Sequence, residues 1–326
     1  MNLAAIDIGT NSTRLLIAGT KIIAENSVAT VPLVREMKIT RLGKNLYNTK
    51  KINDENASLT IEVLKDYQKL LKSYNVSKYR TVGTRVFRQA ANAEEFVHRV
   101  FVEASLNVEV ISGSEEAALS FSGAIKGLET YKISTISRKA VTGQPKSKNV
   151  LVVDIGGGST EFILGIAEEE TIDYLNSIDI GSVILSEKFL TGGIPDNESV
   201  TDLLKFIEDK LKNTIEKISK TGFAFMAGLA GTVSSLSAVD LEIREYDREK
   251  IHGHILHRNK VIDIFKRFCS RGLESRKRIT GLEPARADII IGGTAILLKI
   301  LEMLDIESFI VSENDILDGI IYSLLS

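Results

Sequence analysis

A chain of 326 residues, 44% hydrophobic and 26% charged, has the composition of a folded globular protein and length enough for two ordinary domains. Its one cysteine, Cys269, excludes an internal disulfide and a multi-cysteine zinc site and fits a reducing cytosol. No apolar run reaches the roughly 18 residues of a membrane span, and no basic stretch precedes a long apolar core at the N-terminus, so a cytoplasmic protein without membrane association is expected. A net charge of −2 does not advertise a polyanion partner, which would have to be met by local patches.

The first element is "AAIDIGTNSTRLLIAG", Ala4 to Gly19. An apolar run ends on Asp7, a turn of Gly9, Thr10, Asn11 and Ser12 follows, and a second apolar run returns. The pattern predicts two buried strands of a hairpin. "KIIAENSVATVPL" reads as further β-structure. Between Arg35 and Lys51 stand six Lys/Arg (Arg35, Lys38, Arg41, Lys44, Lys50, Lys51) against one acid, Glu36. That is either a solvated basic face or one wall of a polyanion track. Asp54 to Tyr74 has the spacing of an amphipathic helix, with Leu59, Val63, Tyr67, Leu70 and Leu71 as its apolar positions.

Tyr79 to Thr84 reads as a short strand leading into "GTRVFRQAAN", with Arg88 past the turn and near the start of a helix that carries Phe96, Val97 and Val100. A fixed guanidinium there can take a phosphate bidentately or make a structural ion pair. "NVEVISGSEEAALSF" is strand, glycine turn and helix, with Glu115 and Glu116 in the first helical turn. The helix dipole favours acids at that place whatever their role. A carboxylate there also has the chemistry to take a proton from an attacking water. Lys126 to Asn149 is polar and irregular and reads as a flexible loop.

"KNVLVVDIGGGSTEFILG", Lys148 to Gly165, repeats the first hairpin. Asp154 ends an apolar run, Gly156, Gly157, Gly158 and Ser159 form the turn, and Glu161 opens the return. Glycine turns can aim successive amides at one phosphate oxygen. Asp154 and Glu161 are hard oxygen ligands suited to Mg²⁺. A tight hairpin with a surface acid is the other reading of this stretch alone. The two aspartates are 147 residues apart (154 − 7), which suggests two related lobes facing each other across a cleft.

"YLNSIDIGSVILSEKFL" continues strand into helix, and Ser199 to Ser219 is amphipathic through Leu203, Leu204, Ile207, Leu211 and Ile215. "FAFMAGLAGTVSSLSAV" is an apolar strand, then Gly231 and Thr232 before a helix, either a third anion-binding turn or a close-packed strand–helix turn. Alternation in "HGHILH" would put His252 and His254 on one strand face, but spacing fixes no third metal ligand. Arg258 to Arg286 holds nine Lys/Arg and three acids, without aromatic interleaving or a nucleic-acid motif, so a path for a polyanion other than nucleic acid is expected there. "RADIIIGGTAILLKILEML" reads as a glycine turn and a long helix.

"DIGTNSTRLLI", "GTRVFRQAAN", "VISGSEEAALSF", "DIGGGSTEF" and "RADIIIGG" occur in this order across essentially the whole chain. Together they resemble the exopolyphosphatase / guanosine pentaphosphate phosphohydrolase family in its short two-domain form. The resemblance implies an α/β, two-lobed actin-like and sugar-kinase fold with an interdomain cleft. Lobe I would span 1–114, with a C-terminal helix at about 313–326 returning to it, and lobe II 115–312. It implies Mg²⁺-dependent release of terminal phosphate from inorganic polyphosphate, or from guanosine pentaphosphate, by a cytoplasmic homodimer. Glu116, matching the second glutamate of "SGxEEA", would be the base, with Glu115 the fallback. Arg88 would meet substrate phosphate, Asp154 and Glu161 would support Mg²⁺, and Asp7, Gly9, Thr10, Asn11, Ser12, Gly156, Gly157, Gly158, Ser159, Gly231 and Thr232 would hold phosphates. One departure stands at the end: the family's "GLREG" arginine is replaced by Leu317, which leaves open a sensor that binds without turnover. A kinase of the same fold is the third reading.

Overall fold

A computed structural model describes residues 1–24, 27–129, 147–190 and 193–325 of the chain. They form two compact units, Met1–Gly123 with Ile316–Ser326, and Ala124–Asp315, each α/β as the sequence leads one to expect.

The first unit opens with three antiparallel strands, β1 (Asn2–Ile8), β2 (Ser12–Ala24) and β3 (Ser27–Ile39). Two helices follow, α1 (Leu46–Thr49) and α2 (Asp54–Ser73), then β4 (Val76–Gly83), α3 (Arg85–Gln89), α4 (Ala93–Ala104), β5 (Val108–Val110) and α5 (Gly113–Glu129). The sheet order is β3-β2-β1-β4-β5, with β4 parallel to β1. Side chains alternate across a strand. Ala4, Ile6 and Ile8 therefore pack with Leu64, Tyr67, Phe96 and Val100 of α2 and α4, while Leu3 and Ala5 pack on the other face with Ile320 and Ile321.

α2 buries Ala57, Ile61, Leu64, Tyr67 and Leu71. Leu59, read from the sequence as part of its apolar face, is exposed instead, because the buried stripe is set one position around the helix. The single helix expected around Arg88 is two. Ala90 is extended, and Asn92 clamps Ile52, accepting from its N–H and donating to its carbonyl, both at 2.9 Å, which turns the chain between α3 and α4.

In the second unit β6 (Asn149–Ile155), β7 (Thr160–Ile166) and β8 (Thr171–Ile178) repeat the three-stranded opening. They lead to α6 (Ser182–Phe189), α7 (Asn197–Thr221), β9 (Phe225–Leu229), α8 (Ala230–Asp240), α9 (Arg248–Ile251), β10 (Ile255–His257), α10 (Arg258–Cys269), α11 (Leu273–Arg276), a 3₁₀ turn at Pro284–Arg286, α12 (Ile290–Met303) and β11 (Ser308–Val311). The sheet order is β10-β11-β9-β6-β7-β8, with β9 parallel to β6. Strand for strand, β8-β7-β6-β9 repeats β3-β2-β1-β4. α7 lays Leu203, Ile207, Leu211, Ile215 and Ile218 into the core.

The structure departs from the sequence expectation at three places. Gly292 and Gly293 lie inside α12 rather than in a turn, because the helix is packed too closely for larger residues: a Cβ would fall 2.9 Å from Ser182 O and 2.3 Å from Thr232 Oγ1, respectively. Lys126 to Glu129 form the last turn of α5 rather than a loop, with Leu128 buried, while 130–146 of the expected loop lie outside the described residues. The division between units falls within α5, at Gly123, instead of near 114. The first turns of that helix place Leu119 in the core under β1, and its last turn meets His252 and Asn314 of the second unit.

The final helix, α13 (Ile316–Ser323), packs on β1 and β2 in the first unit. Leu317 is 1% exposed in that apolar cluster, so the position of the family's arginine is a core position in this chain. The neighbouring Asp318 accepts from Arg35 Nη2 at 2.6 Å, which spends one of the cations of the expected basic track on holding the helix. Gly319 is required by close approach: a Cβ there would fall 1.9 Å from the Leu119 carbonyl oxygen. Gly319→Ala therefore loses about 1–3 kcal/mol of stability, the usual range for overpacking, seen as a lower urea midpoint. An unchanged midpoint contradicts this packing.

Candidate active site

Two hairpin turns carry most of the candidate residues, one in each unit, and they are built alike. The Gly9 N–H donates to Ser12 O at 3.0 Å, and the Gly156 N–H to Ser159 O at 2.9 Å. In the first turn the carbonyl oxygens are held from below: Thr10 O accepts from Gly43 N–H at 2.9 Å, and Asn11 O from Thr40 and Arg41 N–H at 3.1 and 2.9 Å. In the second, Gly156 O accepts from Ser182 N–H at 3.0 Å and Gly157 O from Val183 N–H at 2.9 Å. Each gripping segment is the stretch that follows the third strand of its unit. Each needs a glycine where it touches the turn. A Cβ on Gly43 would sit 2.4 Å from Thr10 Cγ2, and one on Gly181 2.4 Å from the Gly157 carbonyl.

With the carbonyls committed, the N–H groups of Thr10, Asn11, Gly157 and Gly158 find no protein acceptor among the described residues. The Asn11 side-chain Nδ2 is likewise buried without one. Clustered unclaimed donors on a turn are the makings of an anion site.

The residues beside the turns differ in charge. Asp7 is 4% exposed and faces Arg14 across the β1–β2 ladder. Arg14 Nε and Nη2 both donate to Asp7 Oδ2, at 2.9 and 2.6 Å. At the same register position in the second unit Asp154 faces Glu161, which is buried and accepts from the Ser177 hydroxyl at 2.7 Å. Two carboxylates side by side fit a Mg²⁺ ion that takes its other ligands from phosphate and water. No group of three or more His, Cys, Asp or Glu fit to hold a metal occurs among the described residues.

Glu116 and Arg88 come together. Arg88 Nη1 donates to Glu116 Oε2 and to the Ile111 carbonyl, each at 2.9 Å. The start of α5 is fixed by Ser112, whose hydroxyl accepts from Glu115 N–H at 3.1 Å. Successive helical residues point roughly 100° apart, so the two glutamates part company. Glu115 turns to Arg80, at 2.9 Å, which also holds Glu109. Only Glu116 meets the candidate phosphate arginine.

At the third turn Gly231 is covered by Arg286, whose Nη1 lies 2.0 Å from where a Cβ would be, and Thr232 is buried against Gly293. The histidines do not converge. His252 Nδ1 accepts from Glu313 N–H at 3.0 Å, whereas His254 Nε2 lies 3.0 Å from Asp240. Of the nine cations from Arg258 to Arg286, three are committed within the protein. Arg276 is 4% exposed and donates to the carbonyls of Ala287, Phe268 and Arg271, while Arg258 and Lys277 pair with Asp305 and Glu274. Burial pushes the Cys269 thiol up to about 11, so it is no nucleophile near neutral pH. No helix among the described residues is long and apolar enough to cross a membrane.

Arg14, Gly43, Gly181 and Arg286 were not singled out as site residues from the sequence. A signal existed for the first: Arg14 and Glu161 are also 147 residues apart (161 − 14), the offset of the two aspartates.

A model of the Ppx/GppA phosphatase family matches residues 21–326. The chain is 34% identical over 323 residues to the bifunctional 3-dehydroquinate synthase/phosphatase of Fusobacterium nucleatum, covering 98% of this chain but only 46%, about half, of that protein. It is 33% identical over 331 residues to exopolyphosphatase 2 of Mycobacterium tuberculosis, covering 98% of each. The solved structure of the Ppx/GppA family member from Aquifex aeolicus is 32% identical, with a TM-score of 0.78 over 100% of this chain and 97% of that one.

The grip on the second turn has a measurable consequence. Gly181→Ala forces the Gly157–Gly158 backbone away, and if this turn is the anion site the variant binds tripolyphosphate about tenfold more weakly, about 1.4 kcal/mol, in a titration calorimeter. Unchanged affinity in a folded variant contradicts the role of this contact.

Proposed function

The chain belongs to the Ppx/GppA phosphatase family, and from that premise we propose that it is an exopolyphosphatase, releasing terminal phosphate from inorganic polyphosphate with Mg²⁺. The observation that carries the reading is the pair of turns whose amides are left unclaimed while their carbonyls are committed. A chain of phosphates offers repeated anionic oxygens, which suits repeated donor turns. The 33% identity to a protein named exopolyphosphatase 2, over nearly the full length of both, supports polyphosphate as the substrate class.

Phosphoryl transfer asks a protein for positioning and charge stabilisation more than for covalent chemistry. The turn amides and Asn11 Nδ2 bind and orient phosphate oxygens. Arg88 offers a planar guanidinium, which matches phosphate bidentately. When phosphate takes Arg88, the ion pair at 2.9 Å opens and the Glu116 oxygen is released to orient a water and accept its proton. Asp154 and Glu161 would hold the Mg²⁺ ion, which supplies positive charge to phosphate oxygens when bound. Leu317 takes nothing from this set, since it lies in the core.

The test is phosphate release from long polyphosphate, short polyphosphate, guanosine pentaphosphate and ATP with Mg²⁺. Polyphosphate is expected to be the preferred substrate. Glu116→Gln should lower its turnover by about 10²–10⁴-fold, the usual share of a general base, whereas Glu115→Gln leaves it nearly unchanged. Preference for guanosine pentaphosphate would reassign the substrate. Binding of polyphosphate without release from any substrate would leave a sensor.

A further inference from the structure

At a constant offset the two hairpins share Asp7 with Asp154, Gly9 with Gly156 and Ser12 with Ser159; they differ in the turn, where Thr10 and Asn11 stand for Gly157 and Gly158, and opposite the aspartate, where Arg14 stands for Glu161. The ladder register is the same for both aspartates, so opposite them the difference is one of charge. In the first hairpin the aspartate is neutralised by its own ladder partner, through two hydrogen bonds to Oδ2. In the second, the ladder partner is another carboxylate. Like charges directly opposite on neighbouring strands are unfavourable by themselves, and a divalent cation turns that opposition into a site.

We propose that Arg14 is the built-in counter-cation of the first hairpin, doing there what a divalent cation does in the second, so that the residue opposite each aspartate decides which hairpin takes metal. This rests on the reading of Asp154 and Glu161 as the Mg²⁺ ligands. A guanidinium stays charged throughout the working pH range and cannot dissociate from the chain. The first turn is therefore neutral at its base without metal, and its amides remain attractive to an anion in metal-free protein. In the second turn, where a carboxylate stands opposite the aspartate, a bound cation supplies that charge. Two copies of the same motif thus serve as one metal-dependent and one metal-independent phosphate turn.

The experiment counts bound Mn²⁺ per full-length chain from the electron paramagnetic resonance signal of the free ion. Wild type is expected to bind about one, Arg14→Glu about two, Glu161→Gln none, and the double variant about one, now held by Asp7 and residue 14. A count of one for Arg14→Glu together with none for the double variant overturns the proposal. No binding by wild type would instead remove the metal reading on which it rests, a separate failure. Asp7 is buried, so Arg14→Glu is at risk of unfolding, which circular dichroism reports. In that case Arg14→Gln, which removes the charge and keeps hydrogen-bonding capacity, should show a second, weaker Mn²⁺ site. A single unchanged site in folded Arg14→Gln again overturns the proposal.

Discussion

A peptide turn has as many acceptors as donors, and an anion is attracted only if the acceptors are turned away. In this protein that condition is met by one interaction used twice: the segment following the third strand of each unit donates its amides to the carbonyls of the first hairpin turn. At Thr40 to Gly43 an irregular segment does this, with Arg41 in the left-handed region at φ 52°. At Ser182 to Ile184 the first turn of α6 does it, and helix N-termini have amides to spare. The solutions differ in secondary structure and in the carbonyls they hold, and share the one at Thr10 and its counterpart Gly157. Both put a glycine against the turn, Gly181 because the two backbones approach closer than a Cβ permits and Gly43 because a Cβ would meet the Thr10 side chain.

The strand-level plan was legible in the sequence because burial on both faces writes itself as continuous apolar runs, and Asp-Ile-Gly ends both of them. The repeat at 147 residues led to related halves, and the two sheets share the order of four strands. What the sequence concealed was pairing. Strand register puts Arg14 on Asp7 and Glu161 beside Asp154, and helix packing puts Asp318 on Arg35. Basic residues counted as a possible polyanion surface turned out to include Arg276, which is buried against three carbonyls, because charge counts do not distinguish a side chain facing water from one tying loops together. Gly292 and Gly293 misled for the opposite reason: glycine marks close packing as readily as it marks a turn.

The separation of Glu115 from Glu116 shows how a local constraint becomes chemistry. Adjacent glutamates in the first turn of a helix are equivalent to the dipole. Ser112 fixes where that helix begins, and the helical pitch then sends one carboxylate into a structural cluster with Arg80 and Glu109 and the other to Arg88. A shift of the helix by one residue would carry Glu115 to the place where Glu116 meets Arg88. The same economy appears at α13, where the place of an expected substrate arginine is filled by a core leucine.

The central claim is that the unclaimed amides of the glycine turn receive phosphate, and the most direct test is nuclear magnetic resonance on protein made with isotope-labelled glycine. Adding tripolyphosphate with Mg²⁺ should shift the amide signals of Gly157 and Gly158 most, while Gly165 and Gly222, away from the turn, stay in place. Binding of tripolyphosphate that leaves Gly157 and Gly158 unmoved would contradict the account.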